Sequence, residues 1–288
     1  MLQFKSRFKR VFRALASKRS FKIWLRDWEG LGDLSLTAKA LQAMRTSQKL
    51  VPLQINICKK RILVLAPHPD DESIGVGGTL LLHKKVGSKI HIVFLTSGKA
   101  DSAATRRKEA KKVSARLSAS CTFFEYLPNN IPICNESSQR LKKEIEIFQP
   151  EILMIPFFLD DNDDHRRVTH LLLNTYSHIK TKQSLEVWAY QVYSSIPTNV
   201  LVDITSVSNK KSQLIRIHKS ELAKRDWSHF SLGLNAYMSR FLQPKKKAHF
   251  VETFFVVSLK EYINFARKYF KKLKDCYYTE KYRELSDE

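Results

Sequence analysis

The stretch RILVLAPHPDDESIGVGGTLLL, residues 61–82, constrains the fold more than any other part of this chain. Its first six residues are a run of Ile, Leu, Val and Ala behind Arg61, the pattern of a strand buried on both faces, as in a parallel sheet. Pro67 and Pro69 end the strand. From Ser73 onward, Ile74, Leu80, Leu81 and Leu82 with Gly75, Gly77 and Gly78 read as the glycine-rich start of a helix packed closely on it. Between strand and helix lie His68, Asp70, Asp71 and Glu72. Open α/β sheets hold their ligands at the carboxyl ends of strands, so chemistry is expected in this turn.

An imidazole and carboxylates on one turn offer a hard or borderline cation a nitrogen and an oxygen, and leave a neighbouring carboxylate free to take a proton from water. An Asp-Asp-Glu run also caps helix N-termini, where each negative charge gains ~0.3–1 kcal/mol from the helix dipole. A histidine set between two prolines makes the metal reading the stronger of the two.

The strand-turn-helix unit recurs. Residues 89–96 (KIHIVFLT) read as a second buried strand, ended by Ser97 and Gly98, and residues 103–117 as a basic helix in which Arg106 and Glu109 stand one turn apart and can face each other. Residues 121–127 give a third strand and 137–148 a helix. Residues 151–157 (EILMIPF) give a fourth buried strand, followed at once by LDDNDDHRRVTHLLL and an apolar helix over 168–179. This alternation predicts an α/β fold, a Rossmann-like, mostly parallel sheet flanked by helices. Two acidic turns at the carboxyl ends of two strands can converge on one ion. Further on, residues 185–194 and 200–205 alternate like strands with one exposed face, 233–241 reads as a short helix, 249–259 as a long apolar strand and 261–274 as a basic helix.

Charge is the compositional outlier: 50 Lys and Arg against 28 Asp and Glu give +22. A field of that size concentrates anionic partners without naming them. Residues 1–26 carry nine Lys or Arg and no acid, with Phe4, Phe8, Val11, Phe12 and Leu15 at helical spacing. Such a basic amphipathic helix suits an anionic membrane surface, packing on the main domain, or a nucleic-acid arm, in that order. No nucleic-acid motif or stacking platform accompanies it, which makes nucleic acid an unlikely partner. No run reaches the ~18 apolar residues of a membrane span, and no signal peptide is evident, so a cytoplasmic protein is expected, on or off the inner face of the membrane. Cys58, Cys121, Cys134 and Cys276 lack CxxC spacing and read as reduced thiols. The chain divides into a basic helical N-terminal extension, 1–58, with a connecting helix over 34–50, and a single domain, 59–288.

Residues 66–72, Ala66-Pro67-His68-Pro69-Asp70-Asp71-Glu72, closely resemble the (A/P)HPDDE signature of the PIG-L/LmbE-like zinc deacetylases, which remove acetyl groups from N-acetylglucosaminyl substrates. The resemblance spans about residues 60–259 and implies the LmbE-like version of the fold already expected. The second signature of that family, HxDH, aligns on Asp164-His165 with Asn162 in place of the first histidine and Asp163 at the variable position. The resemblance implies that His68, Asp71 and His165 hold Zn2+, a set that Fe(II) or Co(II) suits nearly as well. It further implies that Asp70 is the general base and that Asp164 orients an imidazole. Asn162 can donate a neutral hydrogen bond to an oxyanion, worth ~3 kcal/mol, but cannot deliver a proton.

Other features are weaker. The segment KKSQLIRIHKSELAKR resembles the K-x-x-x-L-x-x-H-x-S-Q element of the family with Glu221 for Gln, an element that borders the substrate site in relatives, and reads as one helix with His218 on a solvated basic face first and at the site second. His170 points away from His165 and reads as core or surface. Trp188, Tyr190 and Tyr193 read as core aromatics first and sugar-stacking groups second, and Glu252 weakly matches an acid that closes the site in relatives. The implied function is hydrolytic removal of the acetyl group from an N-acetylglucosamine-type sugar, lipid- or nucleotide-linked, in polysaccharide assembly. The alternative set by Asn162 is a catalytically impaired member that binds sugar or membrane.

Overall fold

The protein is described from a computed structural model covering residues 34–44, 52–98, 102–180, 184–242, 249–271 and 276–277. In chain order the elements are α1 (Leu34–Met44), β1 (Leu53–Gln54), β2 (Arg61–Ala66), α2 (Asp71–Lys85), β3 (Lys89–Thr96), α3 (Ala103–Leu117), β4 (Ser120–Tyr126) and α4 (Asn135–Phe148). There follow β5 (Ile152–Pro156), α5 (Asp163–Thr175), β6 (Glu186–Tyr190), β7 (Val200–Asp203), α6 (Ser208–Ile215), the single turn α7 (Lys219–Leu222), α8 (Trp227–Met238), β8 (Val251–Ser258) and α9 (Leu259–Tyr269). The strands form one eight-stranded sheet, order β1-β7-β8-β6-β5-β2-β3-β4, parallel except for β8, which runs antiparallel to both β6 and β7.

The apolar runs work as the period-2 geometry of a strand requires. Leu63, Leu65, Val93, Leu95, Leu153 and Ile155 point to one face, where they meet Leu141 and Ile145 of α4, Val168 and Leu171 of α5 and Ile263 and Ala266 of α9. Ile62, Val64, Ala66, Ile92, Phe94 and Met154 point to the other, against Val76 and Leu80 of α2, Val113 and Leu117 of α3 and Leu214 and Ile215 of α6. Ala40 and Met44 of α1 are fully buried in the first of these layers, and β1 pairs in parallel with β7. The parts of residues 1–58 that are described therefore share the core and sheet of the rest. The basic stretch 1–26 lies outside the described residues. All four cysteines are free, and among the described residues no helix is long and apolar enough to cross a membrane.

Two readings change in three dimensions. The exposed face expected of β6 is covered, since the strand is flanked by β5 and β8 and buried on both faces, and Trp188 and Tyr190 take the core place expected of them first: the Tyr190 hydroxyl donates to the Leu65 carbonyl at 2.9 Å, and Trp188 packs on Phe254. A Cβ on Gly75 would lie 2.5 Å from the Tyr190 ring, which is why α2 carries glycine at its closest approach to β6. Glu252 does not close a site as a free acid. Its carboxylate accepts from the Gly78 and Thr79 N–H groups at 2.8 and 2.7 Å and pairs with the fully buried Lys211 at 2.7 Å, knitting α2, α6 and β8 together.

Candidate metal centre and active site

Strands β2 and β5 are neighbours in the sheet. From β2 the chain moves outward through β3 and β4 and returns on the other side at β5, so the turns after β2 and β5 flank the point where the strand order reverses, the place such sheets reserve for ligands. The β2 turn is pinned from the side, since Thr96 donates to the Pro67 carbonyl through both its backbone N–H and its hydroxyl, at 2.9 and 2.8 Å. Helix α2 starts earlier than the apolar pattern suggests, at Asp71, and puts Asp71 and Glu72 in its first turn.

Here His68, Asp71 and His165 converge, with one ligating atom of each within 4.8 Å of the others. Asp71 Oδ2 stands 3.2 Å from His68 Nδ1 and 3.3 Å from His165 Nε2. The far nitrogens of both rings face carboxylates: His68 Nε2 is 2.9 Å from Asp164 Oδ2, and His165 Nδ1 is 2.9 Å from Asp160 Oδ1. Asp164 also accepts from the Asn129 N–H, and Asp160 from the Tyr193 N–H. A ligating imidazole held at its other nitrogen by a carboxylate has a fixed tautomer and a more basic ligand atom. Asp164 thus stands where an orienting group belongs, and Asp160 is its counterpart on His165. The sequence offered no means of choosing Asp160 from the run DDNDDH; only the fold picks it out.

The electrostatics suit a cation. Burial pulls the His68 and His165 imidazoles down, but hydrogen bonds and charge from Asp164 and Asp71 bring His68 up to about 9, and Asp71 and Asp160 hold His165 well above its ordinary value. Burial raises the Asp71 carboxyl, and the two imidazoles outweigh it and hold it well below the usual carboxylate range. His165 is completely buried, yet neither ring nitrogen makes a well-aligned hydrogen bond. Two imidazoles among four buried acids (Asp70, Asp71, Asp160 and Asp164) form a pocket for positive charge, and a divalent ion would displace the ring protons. The residues present fit such an ion.

Asp70 stands beside this cluster on a strained backbone, φ 136°. That conformation costs a non-glycine residue about 1–3 kcal/mol and persists only where the surroundings fix it. The Asp70 N–H donates to Glu72 Oε2 at 2.9 Å, and its carbonyl accepts from Ser73 and Ile74. Burial first, then the Asp71 charge, push the Asp70 carboxyl up to about 7, against the pull of Arg106 and His218.

The family comparison bears on this turn directly: PIG-L, described as GlcNAc-PI de-N-acetylase, matches residues 63–176. The match takes in both polar turns, with His68, Asp71 and His165 inside it. A diacetylchitobiose deacetylase of Thermococcus kodakarensis is 24% identical over 193 residues, 58% of this chain and 72% of that protein. Among solved structures, N,N'-diacetylchitobiose deacetylase from Pyrococcus horikoshii superposes with a TM-score of 0.59 at 23% identity, covering 69% of this chain and 84% of its own. A 4-carboxy-2-hydroxymuconate hydratase from Pseudomonas putida superposes with 0.56 at 22% identity, covering 69% and 96%. These structures share the fold, and the fold by itself does not choose the reaction.

Beyond the matched residues 63–176, a further segment packs on the site. α6 stops at Ile215, and His218 is buried, with Nε2 2.9 Å from Glu72 Oε1. Burial lowers this imidazole, but the Glu72 charge dominates and raises it. The expected solvated face is thus corrected: the helix breaks at residues 216–218 and turns the ring inward, where it meets a buried carboxylate. Arg106 and Glu109 also do not pair with each other. Arg106 donates to the Pro69 carbonyl at 2.8 Å and stands 3.5 Å from Asp70 Oδ1 and 3.4 Å from Glu221 Oε1. Glu109 accepts from the N–H and hydroxyl of Ser220, at 3.1 and 2.6 Å. The short segment 218–221 therefore straps α2 to α3 around Asp70. His170, half-buried, takes the core option, with Nδ1 2.7 Å from the Tyr277 hydroxyl.

Asn162 has a local task. It caps α5, its Oδ1 accepting from the Asp164 N–H at 2.8 Å, which leaves its amide N–H groups as its donors. Asp163 pairs with the buried Arg166.

Proposed function

We propose that this protein is a metal-dependent amidohydrolase that removes the acetyl group from an N-acetylglucosamine-type sugar. The observation that carries the reading is the convergence of His68, Asp71 and His165 with Asp70 alongside, in a turn that the PIG-L family match includes. The relatives named as diacetylchitobiose deacetylases support the substrate class. Zinc is the favoured ion for a His-Asp-His set with open positions, and Fe(II) or Co(II) would fit nearly as well. A divalent ion held there would polarise the acetyl carbonyl and lower the pKa of water toward neutrality.

The residues of the chain do the rest. Asp70 takes a proton from the attacking water, and the Asn162 amide donates a hydrogen bond to the developing oxyanion. Because an amide cannot give up a proton as imidazolium does, the proton on Asp70 is the one delivered to the departing nitrogen as the C–N bond breaks. Water and amide are thereby converted to acetate and free amine. Asp164 and Asp160 orient the two imidazoles. The alternative reading of Asn162 as a mark of lost turnover is not favoured, given relatives that are deacetylases by name. A lipid- or nucleotide-linked sugar of polysaccharide assembly, handled on the cytoplasmic side, is the specific substrate we favour from the +22 charge.

Acetate release by the zinc-loaded protein from lipid-extracted and nucleotide-sugar fractions of N-acetylhexosamines tests the reading. Release from one fraction, absent from the metal-free protein, is expected; no release from these or from free N-acetylglucosamine oligomers would refute it.

The strap makes its own prediction. His218→Ala is expected to lower kcat by about 10–100-fold with unchanged metal content, since groups that orient the reacting residues have effects of that size. His218→Gln, which keeps a donor toward Glu72, is expected to recover most of the loss. Equal activity of wild type and His218→Ala would reduce the strap to a structural tie.

A further inference from the structure

A cavity of about 540 Å3 opens between the loop after β6, the first turns of α2, and α8, and is joined to the candidate metal cluster through Tyr193. Its walls carry a line of aromatic rings that begins on a candidate metal ligand. Tyr193 stacks on His165 with centroids 5.4 Å apart and planes at 22°, Trp227 follows at 5.8 Å from Tyr193, and Phe230 at 6.2 Å from Trp227. Neither Tyr193, 39% exposed, nor Phe230, 52% exposed, is spent on the core. Asp226 caps α8 by accepting from the Ser228 and His229 N–H groups, which fixes the first turn of the helix. Trp227 and Phe230, three residues apart, therefore share one face of it. The Arg225 guanidinium lies over both rings, 5.3 and 5.2 Å from their centroids. Gln191 adds a polar group to the same walls, while Ser231 and Asn235, which also line it, are held by Ile74 and by Lys211 and Val251.

We infer that this track is a glycan subsite: it holds the second and third pyranose units of an oligosaccharide whose terminal acetamido group reaches the metal cluster. The inference rests on the deacetylase reading and deepens it. A pyranose ring presents a face of C–H groups and an edge of hydroxyls, and needs apolar aromatic surface bounded by hydrogen-bonding groups, which this cavity supplies. A purely hydrocarbon aglycone would leave the buried Gln191 Oε1, which has no hydrogen-bond partner among the described residues, unsatisfied. An aromatic placed at each step offers large, rigid contact area at small entropic cost. Trp227 and Phe230 are specificity residues in this account. They touch substrate away from the reacting atoms.

The test compares acetate release from N-acetylglucosamine and from its β-1,4-linked dimer, trimer and tetramer. We expect kcat/KM to rise through the trimer. Trp227→Ala and Phe230→Ala should each reduce the tetramer's advantage over the monomer by about tenfold, mainly through KM, while Trp227→Phe retains it. A flat dependence on chain length, or an unchanged advantage in Trp227→Ala, would overturn the proposal. Saturation-transfer NMR with cellotetraose, which has no acetamido group, separates this idea from the deacetylase reading. If no substrate releases acetate, saturation of cellotetraose by the wild type and its loss in Trp227→Ala still support the track, whereas no saturation in the wild type sinks it.

Discussion

Asp70→Asn is expected to lower kcat for acetate release by about 10³-fold while metal content and fold are kept. A positioned general base contributes ~10²–10⁴-fold, and the amide cannot take the proton. The substitution is unusually clean at this position. Asn tolerates positive φ better than most residues, so the strained backbone at 136° is retained. The Asp70 N–H still donates to Glu72, and Arg106 still finds the Pro69 carbonyl and Glu221. What is removed is the carboxylate charge beside the His68, Asp71 and His165 cluster, with its 3.5 Å approach to Arg106. Metal content by elemental analysis and kcat by acetate assay check both halves. Full activity in the variant would take the base role away from Asp70, and loss of metal would make Asp70 a ligand in place of a base.

The larger effect is expected at the ligands. His165→Ala should bring bound metal to background and acetate release below detection, because the ring is completely buried between Asp71 and Asp160 and alanine carries no donor atom in its place. It should also destabilise the metal-free protein by about 3–5 kcal/mol, the usual consequence of leaving buried charge without its partner. Asp160→Asn is the graded version, expected to weaken metal affinity by about 10–100-fold by removing the carboxylate charge 2.9 Å behind the ring. Wild type stripped by chelator should lose activity and regain it on reloading with Zn2+, Fe(II) or Co(II), with the strongest recovery naming the ion. Wild-type activity in His165→Ala would remove it from the ligand set.

Much of the fold was legible because parallel strands buried on both faces leave a simple record, a continuous apolar run. β2, β3 and β5 agree with the expected strands to within a residue or two, and the two polar turns were legible because each follows such a run; the choice of His68, Asp71 and His165 within them came from the family resemblance. The failures have physical causes as well. The segment around His218 has no glycine or proline to announce a break, so it read as one helix; the ring turns inward because a buried Glu72 is there to receive it. Alternation in β6 promised an exposed face, but the antiparallel β8 and the close approach of α2 at Gly75 cover it. Glu252, expected to close the site, instead pairs in the interior with Lys211, a contact across 41 residues that no local pattern announces.

What the sequence by itself determined is local: which runs become strands, where they stop, and that each of two turns presents acids and a histidine at a strand's carboxyl end. Only the tertiary structure decided that β2 and β5 lie side by side, so that the two turns face one point. It decided also that Asp160 and Asp164 stand behind the rings, that Arg106 turns to Asp70, and that three aromatics line a path away from His165. The physical reason is range. Strand and helix patterns arise from interactions between near neighbours in sequence, whereas the site is made by contacts such as His68 to Asp164 and Glu72 to His218, which span 96 and 146 residues and exist only once the sheet is assembled.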